Sequence, residues 1–188
     1  MTSKSNTPKK RIVLGITGSI AAYKSADLVS ELTKAGHDVR CVMTRDAQHF
    51  VSRLVLQTLS RNPVLCDLFE DENEWQPGHI ALADSADLLL IAPATANIIA
   101  QLSYGLAGDA LTCIALATRA PIVIAPAMNG KMWQHPATQE NVNRLISRGQ
   151  TVVGPDSGLL ACGYEGEGRL EKIDVILDGV EKILRKKK

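Results

Sequence analysis

Between Asp87 and Ala92 the chain runs Leu88-Leu89-Leu90-Ile91 with no polar residue among them. An apolar run without alternation is a strand that must be covered on both faces, as in a parallel sheet flanked by helices. The rest of the chain supplies the partners. Arg11 to Ile16 is rich in Ile and Val and stops short of Gly18, which predicts a second buried strand. Asp38 to Met43, Pro121 to Ala125 and Gln150 to Val153 read the same way, and Val64 to Leu68 is a weaker strand candidate. Between them lie helical spacings over Ile20 to Lys34, Ala47 to Leu59, Ala94 to Ser103, Asp109 to Thr118 and Ile173 to Leu184. Gly36 follows the first as a stop, and His135-Pro136 opens another helix to Ser147 with proline in its first turn. This alternation predicts an α/β fold: a doubly wound parallel sheet, flavodoxin-like or Rossmann-like, in three layers.

With 188 residues the chain has the length of one domain, predicted over 11–184 between a disordered tail at 1–10 and a basic tail at 185–188. Net charge is +1, which gives no broad electrostatic footprint for nucleic acid. The basic runs Lys9-Lys10-Arg11 and Arg185 to Lys188 read as solvated ends. No apolar run approaches the roughly 18 residues of a membrane span, and the start carries no apolar signal core. Cys41, Cys66, Cys113 and Cys162 match no zinc spacing, and no metal is expected. These features predict a reduced, cytoplasmic protein.

In doubly wound folds ligands sit beyond the carboxyl ends of the strands. Gly15-Ile16-Thr17-Gly18-Ser19-Ile20 joins a strand to a helix start, a natural phosphate cradle, without the lysine of a P-loop or the glycine spacing of a dinucleotide fold. The next strand ends in Thr44-Arg45 rather than in an acid that would hold a ribose. A hydroxyl-rich loop of this kind favours a mononucleotide phosphate, as in FMN. Alternatively, the glycine serves only helix packing. Pro93-Ala94-Thr95-Ala96-Asn97 offers small residues for close approach of a flat ligand, with Thr95 and Asn97 as polar partners or as plain helix caps. In Pro126-Ala127-Met128-Asn129, a free Asn129 amide would hydrogen-bond a carboxylate without adding charge, or Asn129 simply makes a turn. Met128 reads as packing.

His79 follows the acidic stretch Glu70 to Glu74 and could relay a proton. His37 follows a helix-ending glycine, His49 lies in a helical run, and His135 is a cap before Pro136. Cys162 lies in Ala161-Cys162-Gly163-Tyr164-Glu165-Gly166-Glu167-Gly168, whose glycines suggest a mobile flap carrying a thiol able to donate a proton. Cys41 and Cys113 read as core, Cys66 as ambiguous. Trp75, Trp133 and Tyr164 are too scattered to stack bases.

Taken in this order, Gly18-Ser19-Ile20-Ala21, His79-Ile80, Pro93-Ala94-Thr95-Ala96-Asn97 and Pro126-Ala127-Met128-Asn129 resemble the flavin-containing cysteine decarboxylase family, over Arg11 to the last helix. Ala161-Cys162-Gly163 resembles the branch of that family that makes 4′-phosphopantetheine. The resemblance implies FMN as cofactor, bound by Gly18, Ser19, Thr44, Thr95, Ala96, Asn97 and Ala127. It implies decarboxylation of 4′-phosphopantothenoylcysteine in coenzyme A synthesis: oxidation of the cysteine moiety to a thioaldehyde-like state, loss of carbon dioxide to an ene-thiolate, then return of hydride. By the same resemblance His79 assists the early steps, Asn129 holds the substrate carboxylate, Cys162 supplies the final proton, and Met128 and Ala161 line the substrate. The family implies a homotrimer or homododecamer with the site between subunits, and a coenzyme A ligase domain on a separate chain or removed. Ile80-Ala81-Leu82-Ala83-Asp84-Ser85 departs from the acidic and bulky residues usual after the histidine. A flavin prenyltransferase-like enzyme, a non-catalytic phosphatase-inhibitory subunit of the same fold and a plain nucleotide-binding module are the alternatives.

Overall fold

The computed structural model describes residues 9–69, 78–161 and 163–186. Five parallel strands form its centre: β1 (Arg11–Ile16), β2 (Asp38–Met43), β3 (Leu88–Ala94), β4 (Ile122–Pro126) and β5 (Thr151–Val152), in the spatial order β2-β1-β3-β4-β5. The helices are α1 (Ser25–Lys34), α2 (Arg53–Ser60), α3 (Gly78–Ser85), α4 (Ala96–Tyr104), α5 (Ala110–Ala117), α6 (Gly130–Gln134), α7 (Pro136–Ser147) and α8 (Ile173–Lys186). A two-stranded antiparallel hairpin, β6 (Asp156–Leu159) with β7 (Glu165–Arg169), follows the sheet.

All seven residues of β3 are buried, as its composition requires. Along it, Leu88, Leu90 and Ala92 enter one core while Leu89, Ile91 and Ala94 enter the other. β1 divides likewise: Ile12, Leu14 and Ile16 on one side, Val13 on the other. Helices α1, α2 and α8 cover the first face, through residues such as Leu28, Leu32, Leu56, Ile176 and Val180. Helices α3, α4, α5 and α7 cover the second, through Ala83, Ile98, Leu111 and Leu145. The result is a three-layer, doubly wound α/β fold. Each fully buried Leu or Ile contributes about 1.5–3 kcal/mol from apolar transfer, so the two cores dominate the stability.

Several elements differ from the sequence-based expectation. Ile20 to Lys34 is not one helix: a 3-10 turn over Ile20–Lys24 precedes α1. Ala47 to Leu59 is likewise split into a 3-10 turn, Arg45–His49, and α2. In both cases a hydroxyl residue, Ser19 or Thr44, caps a short turn at a strand end before the main helix begins. Val64 to Leu68 makes a single bridge, Val42 to Leu65, rather than a strand. Pro93 and Ala94 belong to β3 itself, not to the following helix.

The ends are less tail-like than their charge suggests. Lys10 pairs with Asp87 at 3.1 Å and Arg11 with Asp38 at 2.8 Å. Arg185 and Lys186 form the last turn of α8, favourable positions for cations at a helix C-terminus. His37 is not a bystander to the turn. It is buried, with Nε2 at 2.8 Å from Glu181 of α8. Cys41 is core, but Cys113 is only partly buried and its thiol faces the Ala107 carbonyl at 3.6 Å. Glu70 to Glu74, Trp75 and Cys162 lie outside the described residues.

Candidate active site

The order β2-β1-β3 places the reversal of strand order between β1 and β3, where doubly wound sheets leave a crevice beyond their carboxyl ends. A cavity of about 780 Å³ opens there, within the roughly 300–1,000 Å³ typical of small-molecule sites. Thr17 to Ala21 enter it from β1, Thr44 to Asp46 from β2, Thr95 to Ile98 from β3, and Ala127 to Asn129 from β4. Leu159, Leu160, Ala161 and Gly168 close it from the hairpin.

All seven residues expected to hold the cofactor, Gly18, Ser19, Thr44, Thr95, Ala96, Asn97 and Ala127, line this one cavity, as do Met128, Asn129 and Ala161. His79 does not line it: it sits in the first turn of α3, half-buried, with Nδ1 enclosed and without a hydrogen-bond partner among the described residues. Cys162 follows Ala161 directly but lies outside the described residues.

The lining is built from helix starts. Ser19, Thr44, Thr95, Asp109 and Asn129 all face the cavity and all cap a helix or 3-10 turn with a side-chain oxygen. Capping and ligand binding are therefore not alternatives for Thr95. Its Oγ1 accepts from the Ile98 amide at 3.3 Å, and it stands on the cavity wall. The amino ends of α4 and α5 bring backbone dipoles that favour anionic groups.

Thr17 is the residue that sequence reading passed over. Buried to 2% exposure, its hydroxyl donates to the Pro93 carbonyl at 2.7 Å and accepts from the Thr95 amide at 3.1 Å. It locks the β1 loop to the β3 loop. Ser25 adds a second tie, its hydroxyl donating to the Ala92 carbonyl at 3.0 Å. Asp46 was also missed; it stands one position beyond the Thr44-Arg45 pair and lines the cavity. Gly18 is required by this neighbour, since a Cβ there would lie 2.4 Å from the Cβ of Asp46.

Asn129 is not a free amide. Its Oδ1 accepts from the Lys131 amide at 2.9 Å and from the Tyr164 hydroxyl at 2.8 Å. The hairpin is tied to the same loop by the backbone, where the Met128 amide donates to the Gly168 carbonyl at 2.9 Å. On the rim, the guanidinium of Arg169 hydrogen-bonds Asp156 and holds that carboxyl below its ordinary range.

The site fits a flavin mononucleotide. Ala96 and Ala127 put small side chains on the wall where a planar ring would lie, and the hydroxyls of Ser19, Thr44 and Thr95 offer polar partners. Among the described residues no group of His, Cys, Asp and Glu could hold a metal ion, and no helix is long and apolar enough to cross a membrane.

The Flavoprotein family model matches residues 1–185. A probable phosphopantothenoylcysteine decarboxylase of Streptococcus mutans is 45% identical over 177 residues, covering 93% of this chain and 99% of that protein. The coenzyme A biosynthesis bifunctional protein CoaBC of Bacillus subtilis is 46% identical over 173 residues, covering 92% of this chain. The chain spans 43% of that bifunctional relative's length. Among solved structures, a cysteine-to-serine variant of PPC decarboxylase complexed with pantothenoylaminoethenethiol superposes with a TM-score of 0.85 at 32% identity, covering 94% of this chain and 99% of that one. The FMN-dependent cysteine decarboxylase SpaF gives 0.81 at 30% identity, covering 97% and 98%. Four strand-end loops converging on one crevice, and a family match along nearly the whole chain, lead to one assignment: this chain belongs to the Flavoprotein family.

Proposed function

We propose that the chain is an FMN-dependent decarboxylase that converts 4′-phosphopantothenoylcysteine to 4′-phosphopantetheine in coenzyme A biosynthesis. The observation that carries this reading is the convergence of the β1, β2, β3 and β4 loops on one cavity at the switch point, beside a loop ending in Asn129. The probable phosphopantothenoylcysteine decarboxylase of Streptococcus mutans, matched along 99% of its length, supports the same activity here.

FMN, when bound, would supply the two-electron redox couple that the thiol carbon needs. The chain's own residues do the rest. Gly18, Ser19, Thr44, Thr95, Ala96, Asn97 and Ala127 would bind and orient the cofactor. Met128 and Ala161 would enclose the substrate, and the Asn129 carboxamide would hold its carboxylate. The reaction is redox-neutral. The thiol carbon loses two electrons, carbon dioxide leaves with its bonding pair accepted by the thiocarbonyl, and the resulting ene-thiolate regains hydride at carbon and a proton from Cys162. His79 would assist the early steps from a neighbouring protomer, since it does not line the cavity of its own. A cytoplasmic homotrimer or homododecamer accommodates that arrangement.

The test is an absorbance spectrum of the purified protein followed by substrate addition. Bound flavin should bleach on adding phosphopantothenoylcysteine, with release of carbon dioxide. A colourless protein that cannot be reconstituted with FMN would overturn the reading.

A further inference from the structure

We propose that Arg45 is a specificity-determining residue of the cavity, whose guanidinium recognises the phosphate monoester of a bound ligand. This rests on the reading of the cavity as a site for FMN and phosphopantothenoylcysteine, each of which carries such a group.

The charges on the cavity wall single Arg45 out. Five charged side chains line the cavity: Lys24, Arg45, Asp46, Asp109 and Arg169. Arg169 is engaged by Asp156 at the rim. Asp109 caps α5, its Oδ1 accepting from the Thr112 amide at 2.8 Å. Among the described residues, the side chains of Lys24 and Arg45 make no hydrogen bond or ion pair. They differ in chemistry. A lysine is a point charge, whereas a guanidinium presents a planar fork of N–H donors that matches two phosphate oxygens.

Its place in the chain fixes the corner that Arg45 serves. It follows Thr44 at the end of β2 and opens the 3-10 turn Arg45–His49. That turn meets the β1 loop, since a Cβ on Gly18 would fall 2.4 Å from the Cβ of Asp46. Ser19 and Thr44 stand on these two adjoining loops. The Ser19 hydroxyl accepts from the Ala21 amide at 3.3 Å and the Thr44 hydroxyl from the Ala47 amide at 3.4 Å. Each keeps its proton to donate to a ligand. Neither brings charge, and Asp46 between them brings a negative one. The two 3-10 turns are five residues each, too short to sum a helix dipole. A phosphate monoester carries about 1.5 to 2 negative charges at pH 7. Held by these hydroxyls beside Asp46, it needs a cation, and Arg45 is the one this turn supplies. The side chain is exposed, so its fork can close on a ligand without leaving a protein partner.

The test compares Arg45→Gln and Arg45→Lys with the parent protein, using ligand pairs that differ only in the phosphate. FMN and riboflavin are titrated into flavin-free protein by fluorescence quenching. Phosphopantothenoylserine and pantothenoylserine, inert because oxygen replaces sulfur, are titrated into FMN-loaded protein by calorimetry. Arg45→Gln should weaken the phosphorylated member of at least one pair by about fivefold, the upper end for an ion pair at an exposed side chain. The member without phosphate should bind as it does to the parent, which also shows that the variant is folded. Arg45→Lys should recover part of the loss. The gap between parent and Arg45→Gln should narrow at about 1 M salt, where the Debye length is about 3 Å. The pair affected names the phosphate: FMN the cofactor's, phosphopantothenoylserine the substrate's. Equal losses with and without phosphate would overturn the role of Arg45. If the parent binds these ligands and Arg45→Gln binds them equally well, the inference alone fails. If the parent binds neither flavin nor either probe, the functional reading fails and takes the inference with it.

Discussion

Thr17 and Thr95, 78 residues apart in sequence, meet at the base of the cavity, where the Thr95 amide donates to the Thr17 hydroxyl at 3.1 Å. Because that hydroxyl also donates to the Pro93 carbonyl, one buried side chain couples two strand-end loops. Thr17→Val keeps the shape and removes both bonds, leaving an amide and a carbonyl unpaired. The expected cost is about 1–3 kcal/mol, read by urea unfolding, together with weaker flavin retention on gel filtration. Unchanged stability and unchanged flavin content would show that the two loops are held by other means.

Gly18 separates two explanations that a glycine in this loop invites. A phosphate cradle needs a bare backbone toward the ligand, whereas the geometry here shows the missing side chain facing Asp46 at 2.4 Å. Gly18→Ala must displace the turn Arg45–His49, and overpacking of this kind costs about 1–3 kcal/mol. Since Thr44 and Asp46 share that turn and line the cavity, FMN affinity should fall by about tenfold or more, equivalent to about 1.4 kcal/mol. Fluorescence quenching on titration with FMN measures it, and parent-like affinity would show that the turn yields without disturbing the site.

Much of this organisation could be read from the chain. The buried run around Leu88-Leu89-Leu90-Ile91 gave the parallel sheet because covered strands lack alternation. The four loops could be placed because each follows such a strand. Thr17 was missed because a buried threonine and a surface threonine look alike in sequence, and its partners lie near Pro93 and Thr95. Tyr164 was set aside as one of several scattered aromatics, since its pairing with Asn129 is a tertiary contact. Helix α6 escaped notice because five residues, Gly130–Gln134, are too few for a period to show. The hairpin β6–β7 escaped because Asp156–Leu159 and Glu165–Arg169 carry glycine and charge in place of alternating apolar residues.

Cys41 gives a pH-dependent signature. Burial pushes its thiol up to about 12, against a weaker opposing hydrogen bond with Ser60. The folded value lies above the ordinary value of 9.0, so the unfolded chain ionises first as pH rises. Its contribution to stability is therefore intact below pH 9 and is lost between about pH 9 and 12, at up to roughly 1.4 kcal/mol per pH unit. Cys41→Ser should flatten that alkaline decline in denaturant midpoints. In the native protein at pH 8, Cys41 should resist a thiol reagent that modifies it once the chain is unfolded; rapid labelling of the folded form would contradict the burial.

Cys162 is assigned the last proton transfer, which makes a separable prediction. A serine hydroxyl in its place is too weak an acid to protonate an ene-thiolate at neutral pH. Cys162→Ser should therefore release carbon dioxide from phosphopantothenoylcysteine in an amount near one per site, without accumulating 4′-phosphopantetheine. Mass spectrometry of the bound species and carbon dioxide capture read the two halves separately. Product formation at the parent rate would remove Cys162 from that role.

His79 and Asn129 do not line one cavity within a protomer: the cavity that includes Asn129 does not include His79. If subunits share the site, the two groups act from different chains, and defects in them should complement. His79→Asn and Asn129→Ala are each expected to lose activity as pure oligomers. When equal amounts are dissociated and reassembled together, random assortment gives about a quarter of the sites both intact residues. Recovered turnover near that fraction, with mixed oligomers verified by differently tagged chains, is the expected outcome. Mixed oligomers that form and remain inactive would place both residues in the same protomer's chemistry, or His79 outside it.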